Sequence, residues 1–110
     1  MKEQFKYIKQ YPTIEVSNTG KFRHKAVKAY KGDDVIEIPP LYIEPTFCED
    51  GKVLISLPRL TRDGETILTE NNAVSLILDT FVRTGVPMSR VEFKDGDYTN
   101  LQLTNIKIRR

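Results

Sequence analysis

The sequence predicts a small α+β domain, in which a twisted, mainly antiparallel sheet packs against one principal helix. Short segments with β-type periodicity alternate with turn residues along most of the chain, and one later segment has clear helical periodicity. The chain has 110 residues, which is enough for one modest core and too few for two. We therefore expect a single domain that spans residues 1–110.

The first strands are predicted around a tight turn. TIEV (13–16) is a short strand, and SNTG (17–20) follows with residue types that accept tight-turn geometry. The turn leads into KFRH (21–24), so we expect the two strands to form a hairpin. VIEI (35–38) is a further strand, which the prolines at 39–40 end because proline cannot donate a ladder hydrogen bond.

Three more segments of β type follow. LYIEPTF (41–47) is expected to run along a sheet edge, and KVLISL (52–57) alternates between apolar and other residues. ETILT (65–69) comes after the turn RDG (62–64). Because Pro58 follows KVLISL directly, we expect a long and irregular connection between these two strands.

The helix is predicted over residues 71–84. The apolar residues at i, i+3, i+4, i+7 and i+8 of this segment are Val74, Ile77, Leu78, Phe81 and Val82. Thr69 or Asn71 is the expected cap of the first turn, and Gly85 is the expected left-handed closing residue, with Pro87 preventing continuation. We expect the apolar stripe to cover one face of the sheet.

Composition excludes some classes of protein. Charged residues make up 29% of the chain, and no apolar run approaches the roughly 20 residues needed to cross a bilayer. The N-terminal MKEQFKYIKQ lacks the apolar core of a secretory signal, and Cys48, as the sole cysteine, has no internal disulfide partner. We therefore expect a soluble protein of a reducing cytoplasm, with no membrane partner.

Positive charge is concentrated near the N-terminus. Residues 1–31 hold eight Lys or Arg against two Glu, whereas residues 32–110 hold nine against thirteen acids. The stretch KFRHKAVKAYK (21–31) contains no acid, which suits contact with a phosphate backbone, although such a run also serves as a solvated strand and loop. The residues predicted to contact nucleic acid are Lys21, Arg23, His24, Lys25, Lys28 and Lys31, together with Lys107, Arg109 and Arg110 at the other end of the chain.

Three stretches resemble phage and mobile-element HNH homing endonucleases that carry an N-terminal NUMOD-type module. YPTIEVSNTGKFRH (11–24) resembles the module, and NNAVSLILDTFV (71–82) resembles the helix that follows it in the family. VEFKDGDYTNLQLTNIKI (91–108) is similar to the HNH loop with no gap. The resemblance implies a basic NUMOD-like hairpin region at 1–31, and at 71–110 the helix with a truncated ββα-metal hairpin.

The resemblance also implies a degenerate active site. The nuclease chemistry of the family needs a histidine to deprotonate water and a divalent ion to stabilise the leaving oxygen. Phe93 occupies the position of that histidine, Glu92 stands where the family has Asp or Asn, and Val74 replaces a helix histidine. Asn105 matches the asparagine that braces the loop. The segment that would supply the last metal ligand is missing after Ile108, so we predict no catalytic residue, no metal ligand and no cofactor.

Three functions are consistent with the sequence. The first is a catalytically inactive HNH-like phage protein that binds DNA or another nucleic acid. The second is a small phage inhibitor or accessory factor that binds a host nucleic-acid-processing protein in the host cytoplasm, because acidic residues follow the basic end at Asp33, Asp34, Glu37, Glu44, Glu49 and Asp50. The third is a weak nuclease that uses Glu92, Asp95 and Asp97 with a divalent ion, which would need a carboxylate of raised pKa.

Overall fold

The fold is built from eleven described strands, one α-helix and two short 3-10 turns. The computed structural model describes residues 2–109, and for Tyr30, Lys31 and Leu60 it describes the backbone alone. The elements in chain order are β1 (Phe5–Ile8), β2 (Tyr11–Ser17), β3 (Phe22–His24), β4 (Val27–Lys31), β5 (Asp34–Ile38), β6 (Leu41–Ile43), β7 (Thr46–Phe47), β8 (Val53–Leu60), β9 (Thr66–Asn72), α1 (Ala73–Phe81), a 3-10 turn at Met88–Arg90, β10 (Val91–Phe93), a second 3-10 turn at Leu103–Asn105, and β11 (Ile106–Ile108).

The N-terminal sheet has four antiparallel strands in the order β1-β2-β3-β6. Because side chains alternate between the faces of a strand, Ile14 and Val16 of β2 point to the core together with Phe22 of β3. All three are fully buried. The predicted hairpin over residues 13–24 is confirmed, and its turn is the predicted SNTG segment.

A two-stranded arm follows, in which β4 pairs with β5. Val27 lies opposite Ile38, and Ala29 lies opposite Ile36, so apolar side chains share one face of the arm. Val27, Ile36 and Ile38 remain exposed. The strand predicted at 35–38 is confirmed, whereas sequence periodicity did not separate β4 from the adjoining basic loop.

The third sheet has the order β7-β8-β9, and it corrects one prediction. β8 continues through Pro58, which lies opposite Leu68 of β9, so the expected irregular connection is replaced by a long hairpin. β7 pairs with β8 only at Val53 and Leu54. The edge of β8 beside Pro58 therefore has no partner strand, and a residue without an N–H is tolerated there.

The helix is shorter than predicted and starts at a different cap. Asn72, rather than Thr69 or Asn71, is the N-cap, and its Oδ1 accepts a hydrogen bond from the Ser75 N–H at 3.1 Å. Asn71 still belongs to β9. The helix ends at Phe81 with Val82 as C-cap, so Gly85 lies beyond the closing turn and Val82 is exposed instead of facing the core.

The helix connects two sheets instead of covering one. Its buried residues are Ala73, Val74, Leu76, Ile77 and Leu78, and α1 contacts β1 and β2 of the first sheet as well as β8 and β9 of the third. The expectation of one continuous sheet is therefore wrong, because the chain forms separate antiparallel sheets around a shared core. No helix within residues 2–109 is long and apolar enough to cross a membrane.

Candidate functional site

The stretch that resembles the HNH loop, residues 91–108, is called the HNH-like loop below. Its two ends, β10 and β11, pair as a hairpin. Val91 lies opposite Ile108, Glu92 opposite Lys107 and Phe93 opposite Ile106. The hairpin brings Glu92, Phe93 and Asn105 together at one end of the molecule. These are the residues at which the resemblance implied a degenerate active site.

Asn105 braces the loop between the two strands. Its side chain is buried, and its Oδ1 accepts a hydrogen bond from the Asp95 N–H at 3.0 Å. Its Nδ2 donates to Asp95 Oδ1 at 2.9 Å and to the Asn100 carbonyl at 3.0 Å. In the backbone, the Lys94 N–H donates to the Asn105 carbonyl at 2.8 Å. These contacts are the ones expected of a loop-bracing asparagine.

Two aspartates shape the loop through local turns. Asp95 Oδ1 accepts from the Asp97 N–H at 2.8 Å, and Asp97 Oδ1 accepts from the Thr99 N–H at 2.9 Å. Asn100 Nδ2 donates to Asp95 Oδ2 at 2.9 Å. The hydrogen bond from Asn100, followed by that from the Asp97 N–H, lowers the pKa of Asp95. A lowered pKa is the opposite of what a general base near neutral pH requires.

Glu92 forms an ion pair with Arg109. Arg109 Nε lies 3.1 Å from Glu92 Oε1, and the Arg109 N–H donates to the Arg90 carbonyl at 2.7 Å. The guanidinium also donates to the Ser89 carbonyl. Arg109, which was predicted to contact phosphate, therefore neutralises the carboxylate that was the surviving candidate for metal binding.

The ring of Phe93 packs partly buried against the core. Phe93 borders a cavity of about 200 Å³, whose wall also includes Asn72, Val74 and Val91. Val74 and Val91 are apolar, and Asp50 is the carboxylate among the residues that border this cavity. Within residues 2–109 no group of three or more His, Cys, Asp or Glu side chains is arranged to hold a metal.

The N-terminal turn is attached directly to this loop. The Leu103 N–H donates to the Asn18 carbonyl at 2.8 Å, while Asn18 Oδ1 accepts from the Gln4 N–H at 3.0 Å. A Cβ added to Gly20 would lie 2.5 Å from Leu101 Cβ. The asparagine and glycine of SNTG thus link the first sheet to the HNH-like loop, a role that sequence reasoning did not assign to them.

Arg23, on β3, is one of the residues predicted to contact nucleic acid, and its side chain is bound by other residues of the protein. Arg23 donates to Glu15 Oε1 at 3.1 Å, and its guanidinium lies 3.5 Å from the centre of the Phe5 ring. Burial tends to lower the Arg23 pKa, but hydrogen bonds to Tyr42 and Glu15 raise it overall. Arg23 is therefore held against Glu15 and Phe5, and its contact with phosphate stays a prediction. The alternation of β2 and β3 places it opposite Glu15, which pairwise strand register alone could have indicated.

The remaining residues of the basic stretch are placed differently. Lys21 is exposed, with Nζ 3.8 Å from Glu3 Oε2, and exposed Lys25 has its ammonium 5.5 Å from the Tyr7 ring centre. His24 is half-buried and lies between Ile14 and Leu41 in the sheet. Of the residues on or beside β3 that were predicted to contact nucleic acid, Lys21 and Lys25 are therefore the exposed ones.

Strand pairing places some basic residues opposite acidic residues that are distant in the sequence. In the arm, Lys28 lies opposite Glu37 and Lys31 lies opposite Asp34. In the C-terminal hairpin, Lys107 lies opposite Glu92. Arg110 and the side chain of Lys31 fall outside the described residues. Lys28 and Lys31 of the basic stretch are therefore paired in register with two of the acids that follow it.

The fold is HNH-like, with mostly antiparallel sheets and one α-helix. The chain is similar to the solved structure of the HNH homing endonuclease I-HmuI, from work on DNA binding and cleavage by that enzyme. The TM-score is 0.61 at 22% sequence identity, and the match covers 96% of this chain. It covers 51% of the other chain, so this chain spans about half the length of that protein. Neither a protein-family model nor a curated protein matches the sequence.

Proposed function

We propose that this chain is a catalytically inactive HNH-endonuclease-like module of the phage or mobile-element type that binds nucleic acid. In this proposal, residues 1–31 are the NUMOD-like region, residues 71–110 are the degenerate HNH region, and both belong to one domain in the cytoplasm, that of the host if the protein is viral. The observation that carries the proposal is the state of Glu92 and Phe93, because neither is free to activate water.

The loss of catalysis follows from proton chemistry. A benzyl ring has no lone pair with which to accept the proton of a water molecule, so Phe93 is not a general base. Glu92 is ion-paired with Arg109, and Asp95 accepts hydrogen bonds that favour its ionised form. These contacts oppose the third function, a weak nuclease that uses Glu92, Asp95 and Asp97.

Nucleic-acid binding is supported by the fold and by exposed cations. The chain has the fold of an enzyme that binds and cleaves DNA, and Lys21, Lys25 and Lys28 are exposed in the N-terminal half. Contacts to phosphate release counterions, so binding of this kind weakens steeply with salt. We expect an electrostatic mode of binding with little base-specific content.

Two measurements test this proposal. A supercoiled plasmid incubated with the protein and Mg²⁺ or Mn²⁺ should stay intact, while a labelled DNA duplex should bind with an affinity that falls between about 50 and 200 mM salt. Nicking that disappears in Glu92→Ala would contradict inactivity. Affinity that does not change with salt would contradict phosphate contact.

A second candidate function is binding to a protein, for which the arm supplies a specific observation. Val27, Val35, Ile36 and Ile38 are exposed on β4 and β5, next to the carboxylates of Asp34 and Glu37. Exposed apolar side chains beside acids are typical of protein contacts and unfavourable for a phosphate backbone. This supports an inhibitor or accessory factor that binds a host nucleic-acid-processing protein.

A pull-down from nuclease-treated host lysate separates the two candidates. A stoichiometric protein that is retained by the native chain and lost from the double variant Val35→Ser, Ile36→Ser would favour protein binding. Loss of all partners after nuclease treatment would favour nucleic-acid binding. Thr66→Ser, on the exposed β9 strand, serves as the conservative control variant.

A further inference from the structure

Three neighbouring concavities meet around Gln10, in the turn between β1 and β2. The first, of about 380 Å³, is bordered by Gln10, Tyr11, Arg59 and Ser75. The second, of about 390 Å³, shares Gln10 and includes Lys6 and Lys9, while the third, of about 440 Å³, shares Gln10, Tyr11 and Arg59. Shared walls make them one groove, which runs from the C-terminal part of α1 to the β8–β9 hairpin.

Lys6, Lys9 and Arg59 of this groove take part in none of the ion pairs found among residues 2–109. In the basic stretch, Lys21 and Arg23 each form an ion pair with a carboxylate, whereas Lys25 and Lys28 form none among the described residues. The Lys6 ammonium lies 5.2 Å from the centre of the Phe81 ring. Asp79 is the acidic residue that borders the first and second concavities, so three cations face one carboxylate.

The walls also present neutral hydrogen-bonding groups. Tyr11 Oη and the side chain of Asn71 hydrogen-bond to each other, with Asn71 Nδ2 3.1 Å from the hydroxyl oxygen. Asn72 borders the first concavity and also the cavity beside Phe93. A ligand that follows the groove is therefore led toward the HNH-like hairpin.

We propose that this groove is the path of a nucleic-acid strand, with Lys9 and Arg59 in contact with its phosphodiester groups. Phosphates suit a groove in which cations outnumber acids, and amide and hydroxyl groups on the walls can contact phosphate and sugar oxygens. The proposal rests on the proposed nucleic-acid function and relocates its binding surface from residues 21–31 to the groove. It names a single phosphodiester strand as the ligand, whether that strand is free or part of a duplex.

The test compares two double variants that each remove two positive charges. Lys9→Gln with Arg59→Gln removes charge from the groove, and Lys25→Gln with Lys28→Gln removes it from the basic stretch. Affinity for a labelled 20-nucleotide duplex and for the matching single strand is measured from low to high salt. We expect the groove variant to bind about tenfold more weakly, with a salt slope lowered by about 2, and to lose more affinity than the basic-stretch variant; the reverse order would overturn the groove.

A third variant keeps the test independent of folding. Ser75 is the third residue of the helix after the Asn72 cap, where a glutamate favours the first turn. Ser75→Glu should therefore keep or raise the thermal midpoint and yet weaken binding, because it places a negative charge in the groove. The midpoints of all variants are measured by circular dichroism.

The outcomes separate the two proposals. If the native chain binds nucleic acid and the groove variant and Ser75→Glu bind equally well, the groove is wrong and the proposed function stands. If the native chain binds neither probe, the proposed function is wrong, and the groove with it. Weaker binding of the duplex alone, or of the single strand alone, supports the groove and identifies which form of nucleic acid it receives.

Discussion

Glu92 and Arg109 form an ion pair across the end of the C-terminal hairpin, with Arg109 Nε 3.1 Å from Glu92 Oε1. The pair joins a carboxylate that the HNH resemblance marked as a metal ligand to a cation that the charge distribution marked as a phosphate ligand. The pair is a surface contact, and the role of Arg109 toward phosphate stays a prediction. The pair connects the first strand of the hairpin to the residue that follows its last strand.

The first prediction concerns the strength of this pair. Both side chains are about half exposed, so water screens their attraction. Arg109→Gln should lower the free energy of unfolding by no more than about 1 kcal/mol, measured by urea denaturation. Arg62→Gln, at an exposed position of the turn between β8 and β9, is the matched control. A loss above about 2 kcal/mol for Arg109→Gln alone would mean that the pair is structural rather than a surface contact.

The second prediction concerns Asn105. Its side chain satisfies the Asp95 N–H and donates to Asp95 and Asn100, so Asn105→Ala leaves partly buried polar groups of the loop without these partners. We expect a loss of about 2–4 kcal/mol in the free energy of unfolding. Asn100→Ala removes a more exposed set of hydrogen bonds and should cost about 1 kcal/mol or less. Equal losses in the two variants would contradict the bracing role of Asn105.

The third prediction tests the contact between the N-terminal turn and the HNH-like loop. Gly20 and Gly51 both have φ of +89°, but a Cβ on Gly20 would lie 2.5 Å from Leu101 Cβ, whereas one on Gly51 would meet nothing within 4 Å. Gly51→Ala should therefore cost about 1–2 kcal/mol from backbone strain alone. Gly20→Ala should cost at least about 2 kcal/mol more, because the turn and the loop must separate.

Thermal or urea unfolding of the two glycine variants measures that difference directly. Because the backbone conformation is matched, the difference between the variants reports the steric contact and not the strain of a positive φ. Similar costs for Gly20→Ala and Gly51→Ala would mean that the turn does not pack on Leu101.

The fourth prediction concerns acid pH. Hydrogen bonds, first from Asn100, lower the pKa of Asp95 below its ordinary value of 3.8. A carboxyl whose pKa is lower in the folded state stabilises the fold above its unfolded pKa, and this contribution is lost as the pH falls through the folded pKa. The stability difference between the native chain and Asp95→Asn should therefore be larger at pH 7 than near pH 3. A difference that stays constant over this range would contradict the prediction.

Local patterns in the sequence predicted many of the elements. The 13–24 hairpin, the strand at 35–38 and the helix at its central residues follow from periodicity and turn residues, which depend on neighbours in the chain. The ends of the helix were less predictable. Asn71 and Asn72 are equally good caps by type, and only the pairing of Asn71 into β9 makes Asn72 the cap.

At the candidate site, too, some features could be predicted from the sequence and others required the structure. Phe93 and Asn105 were singled out because the short stretch that contains both resembles the HNH loop. Arg23 and Arg109 were assigned to phosphate because charge was counted along the chain. Their partners, Glu15 and Glu92, lie eight and seventeen positions away and become neighbours only through strand register or the end of the hairpin.

The sequence alone determined the class of elements, their order and the absence of a histidine at residue 93, since each of these depends on residue type and local spacing. Tertiary structure decided which charges are neutralised, which cations face a groove, and how the SNTG turn joins the C-terminal loop. Electrostatic and steric energies depend on distances through space, and in an antiparallel fold those distances are set by register and packing between segments far apart in the chain.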